Sequence, residues 1–126
     1  MKTAATPRVM AYRDGQTTHA LLLGAVNRDS APLYRRRLVP YTEQGCRAVA
    51  LDLGEAEYID SDGVRWLTQF HDELSEREIS LVLAVRQGSR VERTLKLLRL
   101  DTVLVIQHYP TEEGLRSPGR TSATTN

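Results

Sequence analysis

The chain has little of what several large classes of function require. Its 126 residues include one cysteine (Cys46), one tryptophan, one phenylalanine and two methionines. A lone thiol cannot close an internal disulfide, and no metal-type spacing surrounds it, so Cys46 reads as a buried or half-buried structural thiol. An excess of charge of one sign is also missing. With a formal net charge of +1 and a pI of about 7.9, the chain has no broad basic field to attract nucleic acid. No apolar run approaches the roughly 20 residues of a bilayer-spanning helix, and Met1 to Pro7 lacks the apolar segment of a signal peptide. A soluble, cytoplasmic protein without membrane insertion is expected. Phosphate loops of the GxxxxGK or GxGxxG kind are absent. Asp60 and Asp62 suggest paired carboxylates, but no nucleophile or ligand set accompanies them, and His19, His71 and His108 stand far apart in sequence. The expectation is a non-enzyme with no metal and no cofactor.

What is present is enough for one core. At 40% apolar and 26% charged residues, the chain suits a single domain, here 8–115, with a flexible N-terminus at 1–7. Residues 116–126 are polar, rich in Pro, Gly, Ser and Thr and aperiodic, which implies a disordered tail. Arg8 to Tyr12 and Thr17 to Leu23 flank Asp14-Gly15 and read as a hairpin. A helix is expected from Asp29 to about Gln44, capped by Asp29 or Ser30 and kinked or ended near Val39 by Pro40. Then come a strand at Arg47 to Leu53, a helix from about Gly63 to Glu76 and a strand at Ile79 to Val85. Ser89-Arg90-Val91-Glu92 forms a capping box ahead of a helix whose apolar stripe is Val91, Leu95 and Leu98. A closing strand is expected at Thr102 to Ile106 and a last short helix from Thr111-Glu112-Glu113. Alternating strands and helices imply an α/β fold with a parallel or mixed sheet.

The most informative segment is Ala48 to Phe70. A buried strand there runs into Asp60-Ser61-Asp62-Gly63 and then into an amphipathic helix with Val64, Leu67, Phe70, His71 and Leu74 at helical spacing. An acidic or hydroxyl side chain in that turn can accept the orphan N–H groups of the first helical turn, and the helix dipole favours negative charge there. Trp66 lies at the edge of the apolar stripe beside Glu73 and Arg77. It therefore either covers the core margin or anchors an interface. Arg35-Arg36-Arg37 reads as a solvated helix face, with contact to an acidic partner as the alternative.

In Ala50-Leu51-Asp52-Leu53 followed by Tyr58-Ile59-Asp60-Ser61-Asp62-Gly63-Val64, the chain resembles the STAS domains of bacterial anti-sigma-factor antagonists. The similarity runs from about Val9 to Leu115, with a specific centre and weaker flanks. It implies a STAS fold: a four- or five-stranded mixed sheet with helices packed mainly on one side, and the loop bearing Asn27 and Arg28 beside the Asp60 to Gly63 turn. It also implies a partner-binding switch at Asp60, Ser61, Asp62, Gly63, Arg65, Trp66 and Asn27. The partner would be an anti-sigma factor, a GHKL-type serine kinase or another STAS-binding protein, and homodimerisation stays open. In the family the second hydroxyl residue before the glycine is the phosphoacceptor; here that position is Asp62. Asp62 is then a helix cap and contact, or a permanent stand-in for phosphoserine that carries less charge and fewer oxygens than a phosphate. Ser61 is either a displaced phosphoacceptor or a hydroxyl bonded to nearby backbone. Relatives often carry Asp at the position of Asn27 and a small residue at that of Arg65. The alternative to an antagonist is a structural STAS subunit of a stressosome-like or lipid-transport complex.

Overall fold

Strand β1 (Arg8–Asp14) turns through Gly15, at φ 63°, into antiparallel β2 (Thr17–Val26), the hairpin expected across Asp14-Gly15. The computed structural model describes residues 6–110, so the short helix expected near Thr111 and the expected tail lie outside the described residues. Helix α1 (Ala31–Leu38) follows β2, with Ser30 at its N-cap position and its end at Leu38, close to the stop or kink expected near Val39. Pro40 supplies no N–H to continue it, and Val39–Thr42 tighten into a one-turn 3-10 helix. Parallel β3 (Ala48–Asp52) then pairs with the first half of β2. Where the sequence implies only a connection, Ala56–Ile59 form a strand, β4, parallel to the last residues of β2.

Helix α2 (Ser61–Glu76), β5 (Ser80–Arg86), α3 (Arg90–Leu97) and β6 (Val105–Tyr109) complete the order. The capping box opens α3 as expected: Ser89 Oγ accepts the Glu92 N–H at 3.1 Å. The Glu92 carboxylate reaches back to the N–H of Gly88 at 2.7 Å. That bond is the main reason Glu92 is held below the usual carboxylate range, with Lys96 and His108 assisting. The closing strand lies three residues later than expected. After α3, Arg99 takes a left-handed backbone (φ 58°), and Leu100–Thr102 form a 3-10 turn that delays the strand to Val105.

The sheet has six strands rather than four or five. Its main path is β1-β2-β3-β5-β6, with β4 beside β2, and every pair but β1–β2 is parallel. Along β2, β3 and β5 burial alternates, and one face (Ala20, Leu22, Val49, Leu51, Leu81, Leu83) joins Tyr34, Leu38, Leu67, Phe70, Leu74, Val91 and Leu95 of the helices in one core. Cys46 is buried at the margin of that core. Among the described residues no helix lies on the opposite face. At its carboxyl end Tyr109 folds over Gly54, and a Cβ at residue 54 would lie 1.3 Å from the phenol oxygen. The phenol donates to Asp52 Oδ1 at 3.0 Å, and the Arg86 guanidinium stacks 5.2 Å from the ring centroid.

Burial, aided by the neighbouring Asp52 carboxylate, pushes the Tyr109 phenol up to about 12. An unfolded tyrosine ionises near 10, so between those values the unfolded chain loses a proton that the folded chain keeps. Stability should therefore fall as pH rises from about 10 to 12. Urea unfolding across that range should show a shallower loss for Tyr109→Phe than for the natural chain, while the buried Tyr34, also raised, contributes equally to both.

Candidate functional site

Two helix N-termini meet at the carboxyl ends of β2 and β4, the end of an open parallel sheet where ligands and partners commonly bind. Each is built from a short-range side-chain bond. At α1, the Asn27 side-chain oxygen accepts the N–H groups of Asp29 and Ser30, both at 3.0 Å, while Ser30, at the N-cap position, makes no side-chain cap. At α2, Asp60 is the cap: its backbone is extended and its Oδ1 accepts the Gly63 N–H at 2.8 Å. The two turns are tied together. Asp60 N–H donates to the Val26 carbonyl at 3.2 Å, and Asn27 Nδ2 donates to the Tyr58 hydroxyl at 3.2 Å.

Gly63 sets the closeness of this seam. A Cβ there would lie 2.2 Å from the Val26 carbonyl oxygen and 2.8 Å from Ile59 Cγ1, so only a glycine allows α2 to rest on the backbone of β2. The same contact sets the rotation of the helix. Its buried face keeps Leu67, Phe70 and Leu74 of the expected stripe but takes Gly63 and Trp66 in place of Val64 and His71, and Val64 is only partly buried. His71 also moves to the margin, 27% exposed and 3.2 Å from Asp72.

Trp66 consequently does not occupy an edge. It is 6% exposed, with its ring centroid 5.5 Å from Phe70 and 5.9 Å from Tyr34, inside the layer between α1 and α2. Its indole nitrogen is buried with no hydrogen-bond partner among the described residues. An anchor for a partner must be reachable, and this ring is not.

The reading of Asp62 as the helix cap also gives way, since Asp60 holds that role. Asp62 lies in the first turn of α2, its side chain 41% exposed and 3.7 Å from Arg65, which is 71% exposed. Such an exposed pair stabilises the fold by at most about 1 kcal/mol. Ser61 is exposed as well. Of the residues singled out from sequence, Asp60, Gly63 and Asn27 are thus framework, whereas Ser61, Asp62 and Arg65 form an outward edge. Sequence reasoning missed Arg90, whose guanidinium lies 5.6 Å from the Tyr58 ring centroid at the start of α3. No local pattern marks that contact, because it spans β4 and α3. The arginine run behaves as expected for a solvated face: all three are exposed, and Arg35 pairs with Glu73 at 3.1 Å.

Among the described residues no group of three or more His, Cys, Asp or Glu side chains is placed to hold a metal ion. No helix among them is long and apolar enough to cross a membrane.

A family model for the STAS domain matches residues 21–115, and the chain belongs to that family. Its fold is similar to the crystal structure of an anti-sigma factor antagonist from Mycobacterium paratuberculosis, with a TM-score of 0.71 and 19% identity over 86% of this chain and 90% of that one. A candidate anti-sigma factor antagonist from Thermotoga maritima gives a TM-score of 0.64 and 20% identity over 84% and 90%. A comparison with curated proteins finds no match.

The division between framework and edge has measurable consequences. Asp60→Ala should cost about 1 kcal/mol of stability through the lost cap, whereas Asp62→Ala should change it by less than about 0.5 kcal/mol. Equal effects of the two in urea titration would reassign the cap. Trp66→Ala should cost about 3–5 kcal/mol, the scale of a core aromatic truncation. A shift in melting temperature no larger than that of Asp62→Ala would return Trp66 to the surface.

Proposed function

We propose that this chain is a non-enzymatic, cytoplasmic regulator that binds a partner protein through the first turn of α2, as an anti-sigma-factor antagonist competing for an anti-sigma factor or its kinase. The observation that carries the reading is the cap. Because Asp60 satisfies the helix end from within, Ser61, Asp62 and Arg65 are exposed at the turn with no capping bond to make. Asn27, Tyr58 and Arg90 continue that surface through the Asn27–Tyr58 hydrogen bond and the Arg90–Tyr58 stack. Both solved structures compared above are described as antagonists of this kind, the second as a candidate.

The resemblance assigns phosphoacceptance to the position held by Asp62. Asp62 has no hydroxyl for a serine kinase to esterify and brings negative charge without phosphorylation, so the surface has no serine-type phosphoswitch at that residue. With Arg65 beside it, the edge offers one negative and one positive group to a partner of complementary pattern. Asp62 then serves as a direct contact.

The test is Asp62→Ser, titrated calorimetrically against the anti-sigma factor or kinase recovered from the native cell. Binding should weaken by roughly 1 to 3 kcal/mol, the scale of a hydrogen bond to a charged group, with melting temperature nearly unchanged because the cap is Asp60. Tighter binding together with newly acquired phosphate at residue 62 would instead make Asp62 a phosphate stand-in. Incubating the natural chain with that kinase and ATP should add no phosphate at residue 62 and little at Ser61. Stoichiometric phosphate by intact mass that disappears in Ser61→Ala would refute a surface without a switch.

A further inference from the structure

We propose that the uncovered face of the sheet, on the side away from the helices, binds a second copy of this chain in a reversible, two-fold dimer. No other described residue covers the face, and its centre is apolar. Met10 and Tyr12 of β1 and Val105 of β6 are 59%, 60% and 58% exposed, and between them lie Leu21, Ala50 and Val82. An open cavity of about 520 Å³ lies over β1, β2 and β3 on this side. Apolar patches of this kind on soluble proteins commonly mark interaction sites.

The strand register shows why a second copy fits. Side chains on this face lie in four rows across the sheet. The outer two are Asp14/Thr17/Ala48/Ser80 and Arg8/Leu23, with Arg86 and Tyr109. The inner two are Tyr12/His19/Ala50/Val82/Val105 and Met10/Leu21/Asp52/Ala84/Gln107. A two-fold axis lying in the face and running across the strands exchanges the outer rows with each other, and likewise the inner ones. Tyr12 of one copy then rests on Met10 of the other, and Arg8 meets Asp14 twice. Both charged residues are exposed, and they stand at opposite ends of the same edge strand. The face is thus complementary to itself, as an isologous contact requires. Asp52, the acid within the inner rows, is already bound by Tyr109 and by the Gly54 N–H.

Size sets the strength. Five strands at about 4.8 Å spacing and about five residues of each make a face of roughly 400 Å² in projection. Two such faces bury an area typical of small reversible contacts, not of obligate dimers. The chain's own C-terminal segment is a poor cover: residues 111–126 contain one large aliphatic side chain, Leu115. Stacking on this face leaves the first turn of α2 free on the outside of both copies.

Sedimentation velocity on the full chain from micromolar to millimolar concentration should show a monomer–dimer equilibrium. Met10→Lys should weaken it about tenfold or more by burying an unpaired charge. Arg8→Asp and Asp14→Arg should each weaken it, since each sets like charges against one another twice. Mixing those two variants should restore a heterodimer, because every Asp–Arg contact then reforms. Far-UV circular dichroism verifies that the exposed substitutions leave the fold intact. A chain monomeric at every concentration, a dimer indifferent to Met10→Lys, or variants that fail to recover on mixing would overturn the proposal. Self-association seen only after removal of residues 111–126 would give the face to the tail. A monomer that binds a fluorescent apolar probe, lost in Met10→Lys, would give it to an apolar ligand. Either result would also overturn it.

Discussion

The contact of Gly63 with the carbonyl of Val26 governs the end of the molecule where α1 and α2 begin. No side chain larger than hydrogen fits between them, so the first turn of α2 sits directly on the backbone of β2. That approach lets Asp60 N–H reach the same carbonyl and brings the two capped helix ends together. It also chooses which residues of α2 look inward. Once Gly63 faces the strand, helical geometry carries Trp66, Leu67, Phe70 and Leu74 inward with it and turns Asp62 and Arg65 outward.

The two faces of the sheet follow different physical logic. On one, three helices and the alternating residues of β2, β3 and β5 make a single apolar core in which Trp66 stacks on Phe70 and Tyr34 lies tilted against it. On the other, the same strands present apolar side chains that no other described residue covers, bounded at the carboxyl end by the Tyr109, Asp52 and Arg86 cluster. The α2 turn and the bare face are therefore separate surfaces, and one can be occupied without blocking the other.

Much of the framework was legible because it is local. A hairpin signalled by Asp-Gly, an apolar run in β3, the Ser89 to Glu92 box and the Asp-Ser-Asp-Gly turn each carry their cause within a few residues. The errors share a different cause. Strand β4 is four residues long, so its brief Ala56-Glu57-Tyr58 alternation does not mark it, and it pairs with the last residues of β2, which extend past β3. The closing strand was displaced because the apolar run Val103 to Ile106 reads as a strand from its start, whereas pairing with β5 selects Val105–Tyr109. Asp60 and Asp62 are equally good caps by residue type, and the choice between them depends on where the helix begins.

The sequence alone determined the α/β class and the order of most elements, which rest on periodicity, turn chemistry and short-range spacing, and it carried the resemblance to the STAS family in the Ala50 to Val64 motif. Only the tertiary structure decided the rotation of α2, the burial of Trp66, the freedom of Asp62 and the exposure of one whole sheet face. Each of these depends on contacts between segments distant along the chain: Gly63 with Val26, Trp66 with Tyr34, and β6 with β5. A helical wheel gives the period of an apolar stripe, but the angle at which that stripe meets the core is set by the backbone it packs against.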